Sequence, residues 1–166
     1  MRKLLVLLAG LSLVALGLFG PASAQVAFDN QVEADLNGFA EWNATAGAFG
    51  AGDLNGDGLS KILLDPNNLR VCFELRWSDI EEPTASHIHS AAVGVNGPIV
   101  VNLLGNAHRV EHADGTGGAV GCAEGVTRGL IRDIGENPGS YYVNVHNAVF
   151  PGGAIRGQLE DDEEGI

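Results

Sequence analysis

Residues 69–77 alternate between apolar and polar side chains over their whole length. Successive side chains of an extended strand point to opposite faces of a sheet, so this period of two predicts a β-strand with one buried face. We expect its apolar side chains to face the core of the domain. The apolar members of the pattern are Leu69, Val71, Phe73, Leu75 and Trp77.

A turn precedes this strand. Residues 65–68 read Asp-Pro-Asn-Asn, in which proline fixes φ and asparagine tolerates left-handed backbone. A shorter apolar run, residues 61–64, lies just before them. Two runs of β-forming residues around such a turn predict a β-hairpin.

The rest of the chain contains further short runs of β-branched and aromatic residues, at 99–104, 141–146 and 154–159. Glycine, proline and asparagine separate them. Only residues 126–134 have helical character, for one or two turns before Pro138. With 24 glycines and no long amphipathic helix, the chain is predicted to be all-β, an antiparallel β-sandwich or barrel.

The first 24 residues have the organisation of a signal peptide. Arg2 and Lys3 are followed by a largely apolar run, residues 4–19, and by small residues that end in an A-x-A pattern at Ala24. The apolar run is too short for a lasting membrane anchor. The sequence therefore predicts cleavage after Ala24, a secreted or periplasmic protein, and no membrane span in the mature chain.

The mature part has the length of a single domain, which we expect to occupy residues 25–159. Residues 160–166 contain five consecutive acidic side chains, which predict an acidic disordered tail. The formal net charge of the whole chain is −12. Because such a charge repels phosphate backbones and anionic lipids, it argues against nucleic acid and membrane surfaces as partners and favours the attraction of cations.

The chain has two cysteines, Cys72 and Cys122. Neither has a second cysteine or a histidine close in sequence, which argues against a metal-binding or catalytic thiol. An exported protein meets an oxidising compartment in which paired thiols tend to close. We therefore expect one disulfide between them.

Four blocks of sequence carry a resemblance to a known family. They are HIH at 87–89, GVNGPIV at 94–100, YYVNVH at 141–146 and PGGAIRGQL at 151–159. In this order they resemble the CHRD domain, named for its repeats in chordin and found in exported microbial proteins. The resemblance covers roughly residues 30–160, and includes a weaker likeness to the first strand of the family around Leu36 and Glu41.

The resemblance to the CHRD family implies an all-β domain, and we expect the sandwich or barrel to be of immunoglobulin-like or superoxide-dismutase-like type. It implies no settled biochemical activity. The expectation is a non-enzymatic extracellular module for binding or adhesion, whose partner would be an unknown extracellular protein or surface ligand.

His87, His89 and His146 are the candidate metal ligands. Residues i and i+2 of a strand point the same way, so His87 and His89 share one face, as Asn144 and His146 do. If the two strands are neighbours, three imidazoles converge, and such a set suits copper or zinc. Binding would then weaken as the pH falls through the ordinary histidine pKa of about 6.5.

The alternative function is a metal-dependent redox protein. A similar H-x-H pair occurs on a strand of copper,zinc superoxide dismutase, and the GGAIR segment at 152–156 resembles a segment of its last strand. This likeness would put Arg156 in the place of an anion-guiding arginine. The structural alternative is that the histidines donate hydrogen bonds to backbone carbonyls within the framework.

Two further groups of polar residues are candidate ligands. His108, His112 and Asp114 could extend the histidine site, but their glycine-rich surroundings favour a mobile exposed loop. Asp53, Asn55 and Asp57 match the first half of a calcium loop, although Leu64 stands where the bidentate glutamate belongs. A hairpin turn explains the same residues, so calcium is less favoured than copper or zinc.

No residues combine a nucleophile with a base and an orienting acid, so the sequence gives no support to hydrolase chemistry.

Overall fold

In the described part of the chain, backbone hydrogen bonds join ten strands into one antiparallel sheet. The computed structural model describes residues 30–111 and 116–161. The helix α1 is Arg128–Glu136, and three single-turn 3-10 helices are Gly38–Ala40, Leu104–Asn106 and Pro138–Ser140. The strands are β1 Gln31–Asn37, β2 Trp42–Asn43, β3 Ala48–Phe49, β4 Asp57–Asp65, β5 Arg70–Ser78, β6 Pro83–Ser90, β7 Ile99–Asn102, β8 His108–Glu111, β9 Gly117–Glu124, β10 Tyr141–Asn147, β11 Ile155–Gln158 and β12 Glu160–Asp161.

The strand order of this sheet is β7-β6-β10-β11-β1-β4-β5-β9-β8, and β12 pairs with β1. β2 and β3 form a separate small hairpin. Only residues 103–107 separate β7 from β8, the strands at the two ends of the order, so the sheet curls into a nearly closed barrel. The predicted antiparallel sandwich or barrel is confirmed.

The alternating strand is β5, and its hairpin partner is β4. Val71, Phe73, Leu75 and Trp77 are all buried in the barrel core, as predicted. Leu69 differs, because it has φ +56° and is 41% exposed. It closes the turn, and the strand begins at Arg70.

Cys72 and Cys122 form the expected disulfide. They lie directly opposite each other on β5 and β9. Such a bond is typical of proteins that fold in an oxidising compartment, which fits the predicted export. The signal peptide at 1–24 lies outside the described residues. None of the described helices is long and apolar enough to cross a bilayer.

Helix α1 confirms the short helical segment, shifted two residues towards the C-terminus. Thr127 lies before it as the N-cap and accepts a hydrogen bond from the amide of Leu130. Ile131 and Ile134 are fully buried in the core.

Two boundaries differ from the prediction. The acidic segment does not begin as a disordered tail, because Glu160 and Asp161 pair with β1 as strand β12. The segment expected to be a mobile loop contains β8, which pairs with β9. Residues 112–115 and 162–166 lie outside the described part of the chain.

Candidate metal centre

His87 and His89 lie on β6, and His146 lies on the neighbouring strand β10. In the register between these strands His87 is opposite Asn144, and His89 is opposite Tyr142. Ile88 points the other way, into the core, where it is fully buried. One side-chain nitrogen from each histidine lies within 4.8 Å of the other two. The structure thus brings together the three candidate ligands.

Backbone carbonyls orient two of the rings. His89 Nδ1 lies 2.9 Å from the Gly97 carbonyl oxygen, and His146 Nδ1 lies 3.1 Å from that of Pro151. Because a carbonyl oxygen only accepts, both Nδ1 atoms carry the hydrogen, and both Nε2 atoms keep a lone pair. Metal-ligating histidines are commonly oriented by a hydrogen bond of this kind.

The nitrogens that face the centre of the cluster differ in their contacts. His89 Nε2 is buried and has no hydrogen-bond partner among the described residues. His87 Nδ1 lies 3.1 Å from His146 Nε2. Since His146 Nε2 is the acceptor, His87 Nδ1 donates in the metal-free protein. A metal ion would take the place of that hydrogen.

The geometry of this pair is close to that of two metal ligands. Two nitrogens at 2.0–2.1 Å from a tetrahedral ion are about 3.3 Å apart, against 3.1 Å for His87 Nδ1 and His146 Nε2. Three nitrogen donors suit zinc or copper and leave one position of a tetrahedral ion open. The chain offers no sulfur ligand here, because both cysteines are in the disulfide.

All three imidazoles favour the neutral form that binds metal. Burial is the largest cause in each case, and it lowers the pKa of His87 to about 4, with smaller contributions from His146 and His89. Burial also lowers the pKa values of His89 and His146, against the opposing effect of their carbonyl partners. At neutral pH the three rings are therefore uncharged.

Arg156 does not stand where an anion-guiding arginine would be useful. It is only 2% exposed, and its guanidinium carbon lies 3.4 Å from the centroid of the Tyr142 ring. It also donates hydrogen bonds to Asn96 Oδ1 and to the Val95 carbonyl. The analogy with the dismutase arginine is wrong at this position, because the loop 91–98 covers the side chain.

Tyr142 joins the histidines to this buried arginine. Its ring stacks on His89, with centroids 4.7 Å apart and planes inclined by 8°. Because β6 and β11 lie on opposite sides of β10, the ring is held between the imidazole and the guanidinium. The face of the sheet outside the core is thus a second, polar layer.

Glu41 belongs to the same layer, although no motif in the sequence marks it as a candidate functional residue. It is 3% exposed, and burial raises the pKa of its carboxyl to about 7 despite the nearby Arg156 and Asn144. In the sequence, Glu41 contributes only to the weaker likeness to the first strand of the family. Its place between apolar and aromatic residues in sequence was the one available signal.

The other candidate ligands lie elsewhere. His108 is exposed on β8, while His112 and Asp114 lie outside the described residues. Asp53 Oδ1 accepts the amide of Asn55 at 3.3 Å, which is a turn interaction of the kind the hairpin alternative requires.

The remaining calcium-loop positions stay a prediction. Asp57 is exposed at the start of β4, and Leu64 is buried near its end. No oxygen-bearing side chain therefore stands where the bidentate glutamate would be needed.

These features define an all-β domain with a disulfide and a cluster of three histidines on one sheet face. The family model of the CHRD domain matches residues 32–159, which include every element that builds the cluster. The chain belongs to the CHRD domain family, as its sequence blocks predicted. Comparison with curated proteins and with solved structures finds no match.

Proposed function

We propose that this protein is an exported, non-enzymatic β-module that binds one divalent ion of copper or zinc through His87, His89 and His146. The observation that carries the proposal is the convergence of three neutral imidazole nitrogens, of which His89 Nε2 is buried and unpartnered. The carbonyl partners of His89 and His146 leave a lone pair on each Nε2, an arrangement suited to a cation that accepts lone pairs.

The framework alternative explains less of the cluster. A buried histidine that only supports the fold would bond both ring nitrogens, since an unsatisfied buried polar atom costs about 1–3 kcal/mol. His146 meets that condition through the Pro151 carbonyl and through His87 Nδ1. His89 meets it only at Nδ1, because its buried Nε2 has no partner in the described part of the chain.

The non-enzymatic assignment rests on the burial of Arg156. An exposed cation beside the metal would speed a dismutase-like redox reaction, because it draws the substrate anion towards the site. Arg156 is engaged with Tyr142 and the loop 91–98 instead. Binding of the ion, without turnover of a substrate at it, is the function that these contacts support best.

A role in binding or adhesion has independent support from the surface. Phe39 is 66% exposed and stacks on Phe49, which also contacts Trp42. Exposed apolar side chains in contact with one another are typical of partner-binding surfaces. The partner class remains an extracellular protein or another surface ligand.

Thermal unfolding of the mature protein, stripped with chelator and then given one equivalent of zinc or copper(II), tests metal binding. An ion that binds only the folded state at a hundred times its Kd contributes about 2.7 kcal/mol. For a domain of this size that raises Tm by roughly 10 °C. We expect His87→Ala to abolish the rise in Tm.

His108→Ala is the matched control, because His108 is exposed and lies outside the cluster. It should keep the full metal-dependent rise. Equal melting of the wild-type protein with and without metal would contradict the proposal. An equal loss of the rise in the His87→Ala and His108→Ala variants would contradict it as well.

A further inference from the structure

Glu41 and Asn144 form a buried side-chain pair in the polar layer. Asn144 Nδ2 donates to Glu41 Oε2 over 3.4 Å. The other oxygens of the pair, Glu41 Oε1 and Asn144 Oδ1, are both buried and have no hydrogen-bond partner in the described part of the chain. Both residues are 3% exposed.

The two unpartnered atoms are both acceptors as long as the carboxyl is ionised, and two acceptors do not bond. One proton on Glu41 turns an oxygen of the carboxyl into a donor. An acid and an amide can then exchange two hydrogen bonds, Nδ2–H to Oε2 and Oε1–H to Oδ1. In such a pair, a single proton would give both buried oxygens a partner.

We propose that Glu41 is a neutral acid in the folded domain, and that its pair with Asn144 is a pH-sensitive latch for the segments 41–52 and 91–98. When the proton leaves, a carboxylate remains buried with one long hydrogen bond. The segments packed on it then loosen.

The surroundings of the carboxyl leave little room for water to replace the missing donor. A Cβ on Gly153 would lie 2.2 Å from Glu41 Oε1, and a Cβ on Gly52 would lie 2.7 Å from Glu41 Cγ. The charged group that faces the carboxyl is Arg156 on β11, and the other polar group is Asn144 on β10.

Arg156 only partly stabilises the anion, because three of its five N–H donors are already used. They bond to Asn96 and to the carbonyls of Ala92 and Val95. Burial outweighs the effect of this cation, which is why the carboxyl has its raised pKa of about 7.

The contacts of Glu41 define what the latch holds. Its carbonyl accepts the amide of Ala51 at 3.2 Å. Asn96 Nδ2 donates to the carbonyl of Trp42, which ties the loop 91–98 to the hairpin of β2 and β3. Because Arg156 holds the same loop, both segments depend on this layer. None of these contacts involves a bound metal.

The sign of the pH effect follows from the raised pKa. A group whose folded-state pKa lies above its ordinary value of 4.5 stabilises the fold at acidic pH. That contribution is lost as the pH rises through about 7. The lowered pKa values of the histidines affect stability at the acidic end of the pH range instead. Any variant at position 41 shares this effect with the wild type.

Urea unfolding of the metal-free mature protein between about pH 5 and pH 8, compared with Glu41→Gln, tests the latch. Glutamine keeps a donor and an acceptor for Asn144 but cannot ionise. We expect the unfolding equilibrium constant of the wild type to rise relative to that of the variant by on the order of a hundredfold over this range. The exposed Glu82→Gln variant should follow the wild type.

Amide hydrogen exchange supplies the local readout. Above neutral pH the protection of Ala51 should fall in the wild type and stay constant in Glu41→Gln, after correction for the intrinsic rate. If Glu41→Gln does not fold, the infrared carbonyl band of a protonated carboxyl in the wild type at about pH 6 decides the matter. Parallel stability curves for wild type and Glu41→Gln, or the absence of that band, would overturn the proposal.

Discussion

Two backbone carbonyls determine what the histidine cluster can do. Gly97 and Pro151 accept the Nδ1 hydrogens of His89 and His146, so the Nε2 lone pairs point at the centre of the cluster. If the Nε2 atoms carried the hydrogens instead, those hydrogens would face the centre of the cluster and repel a cation. The site is therefore a property of residue contacts as much as of residue types.

The lowered pKa values change the expected pH dependence of metal binding. A site of three histidines with ordinary pKa values would lose roughly several hundredfold of its metal affinity between pH 7 and pH 5.5, because each ring must be neutral to bind. His87, with a pKa of about 4, stays neutral over this range, and His89 and His146 are shifted in the same direction. We expect the zinc affinity to fall by less than about 70-fold, which is the loss that two histidines of ordinary pKa would cause.

Competition with a chromophoric chelator at each pH measures this affinity. The pH range in which zinc affinity is lost should lie below the ordinary histidine pKa of 6.5. This revises the expectation from the sequence. A steep decrease that begins at that value would contradict the account of the burial.

At this scale the sequence predicted which residues meet and could not predict their partners. The alternation rule placed His87 and His89 on one face, and the assumption of neighbouring strands added His146. The burial of Arg156 and Glu41 depends on the loop 91–98 and on the close approach of Gly153, which are tertiary contacts with no local pattern.

Among the elements, β9 shows why glycine-rich segments mislead sequence analysis. Gly117 and Gly121 lie against aromatic side chains of the neighbouring strand: a Cβ would come within 2.6 Å of Trp77 and 3.0 Å of Phe73, respectively. Glycine there makes room for large core residues, whereas in sequence it is typical of a loop. The strands β4, β5 and β10 were predictable because their apolar positions are filled by large side chains.

The contact between β11 and β1 gives an element-scale prediction. A Cβ on Gly157 would lie 2.1 Å from the carbonyl oxygen of Asp35, a backbone atom that cannot move aside alone. We expect Gly157→Ala to lower the free energy of unfolding by at least about 2 kcal/mol. Urea denaturation monitored by tryptophan fluorescence measures the change.

Gly129→Ala is the matched control on helix α1, where nothing lies within 4 Å of the added Cβ. Alanine favours helix over glycine by up to about 1 kcal/mol, so this variant should be slightly more stable. A neutral Gly157→Ala variant would show that the two strands are not in the close register described.

At the scale of the whole molecule, the disulfide and the histidine cluster lie on different strands of one barrel. The disulfide joins β5 to β9, and the histidines lie on β6 and β10. The cysteines are 50 residues apart, and a loop of that length corresponds to about 4 kcal/mol at most in the chain-entropy account. The double variant Cys72→Ala, Cys122→Ala should lose up to that amount and keep its metal-dependent rise in Tm.

Urea unfolding of oxidised and reduced wild-type protein checks the same prediction without mutation. Reduced wild type should match the double variant. Equal stability of the oxidised and reduced forms would remove the disulfide from the account of the fold, and loss of metal binding in the double variant would show that the disulfide and the histidine cluster are coupled.

X-ray absorption at the metal edge, on mature protein loaded with one equivalent of zinc, tests the central claim most directly. The account predicts nitrogen ligands at about 2.0–2.1 Å and the outer-shell scattering of three imidazoles, with that scattering reduced in His87→Ala and unchanged in His108→Ala. A shell without imidazole scattering, or the same spectrum from wild type and His87→Ala, would contradict metal binding by His87, His89 and His146.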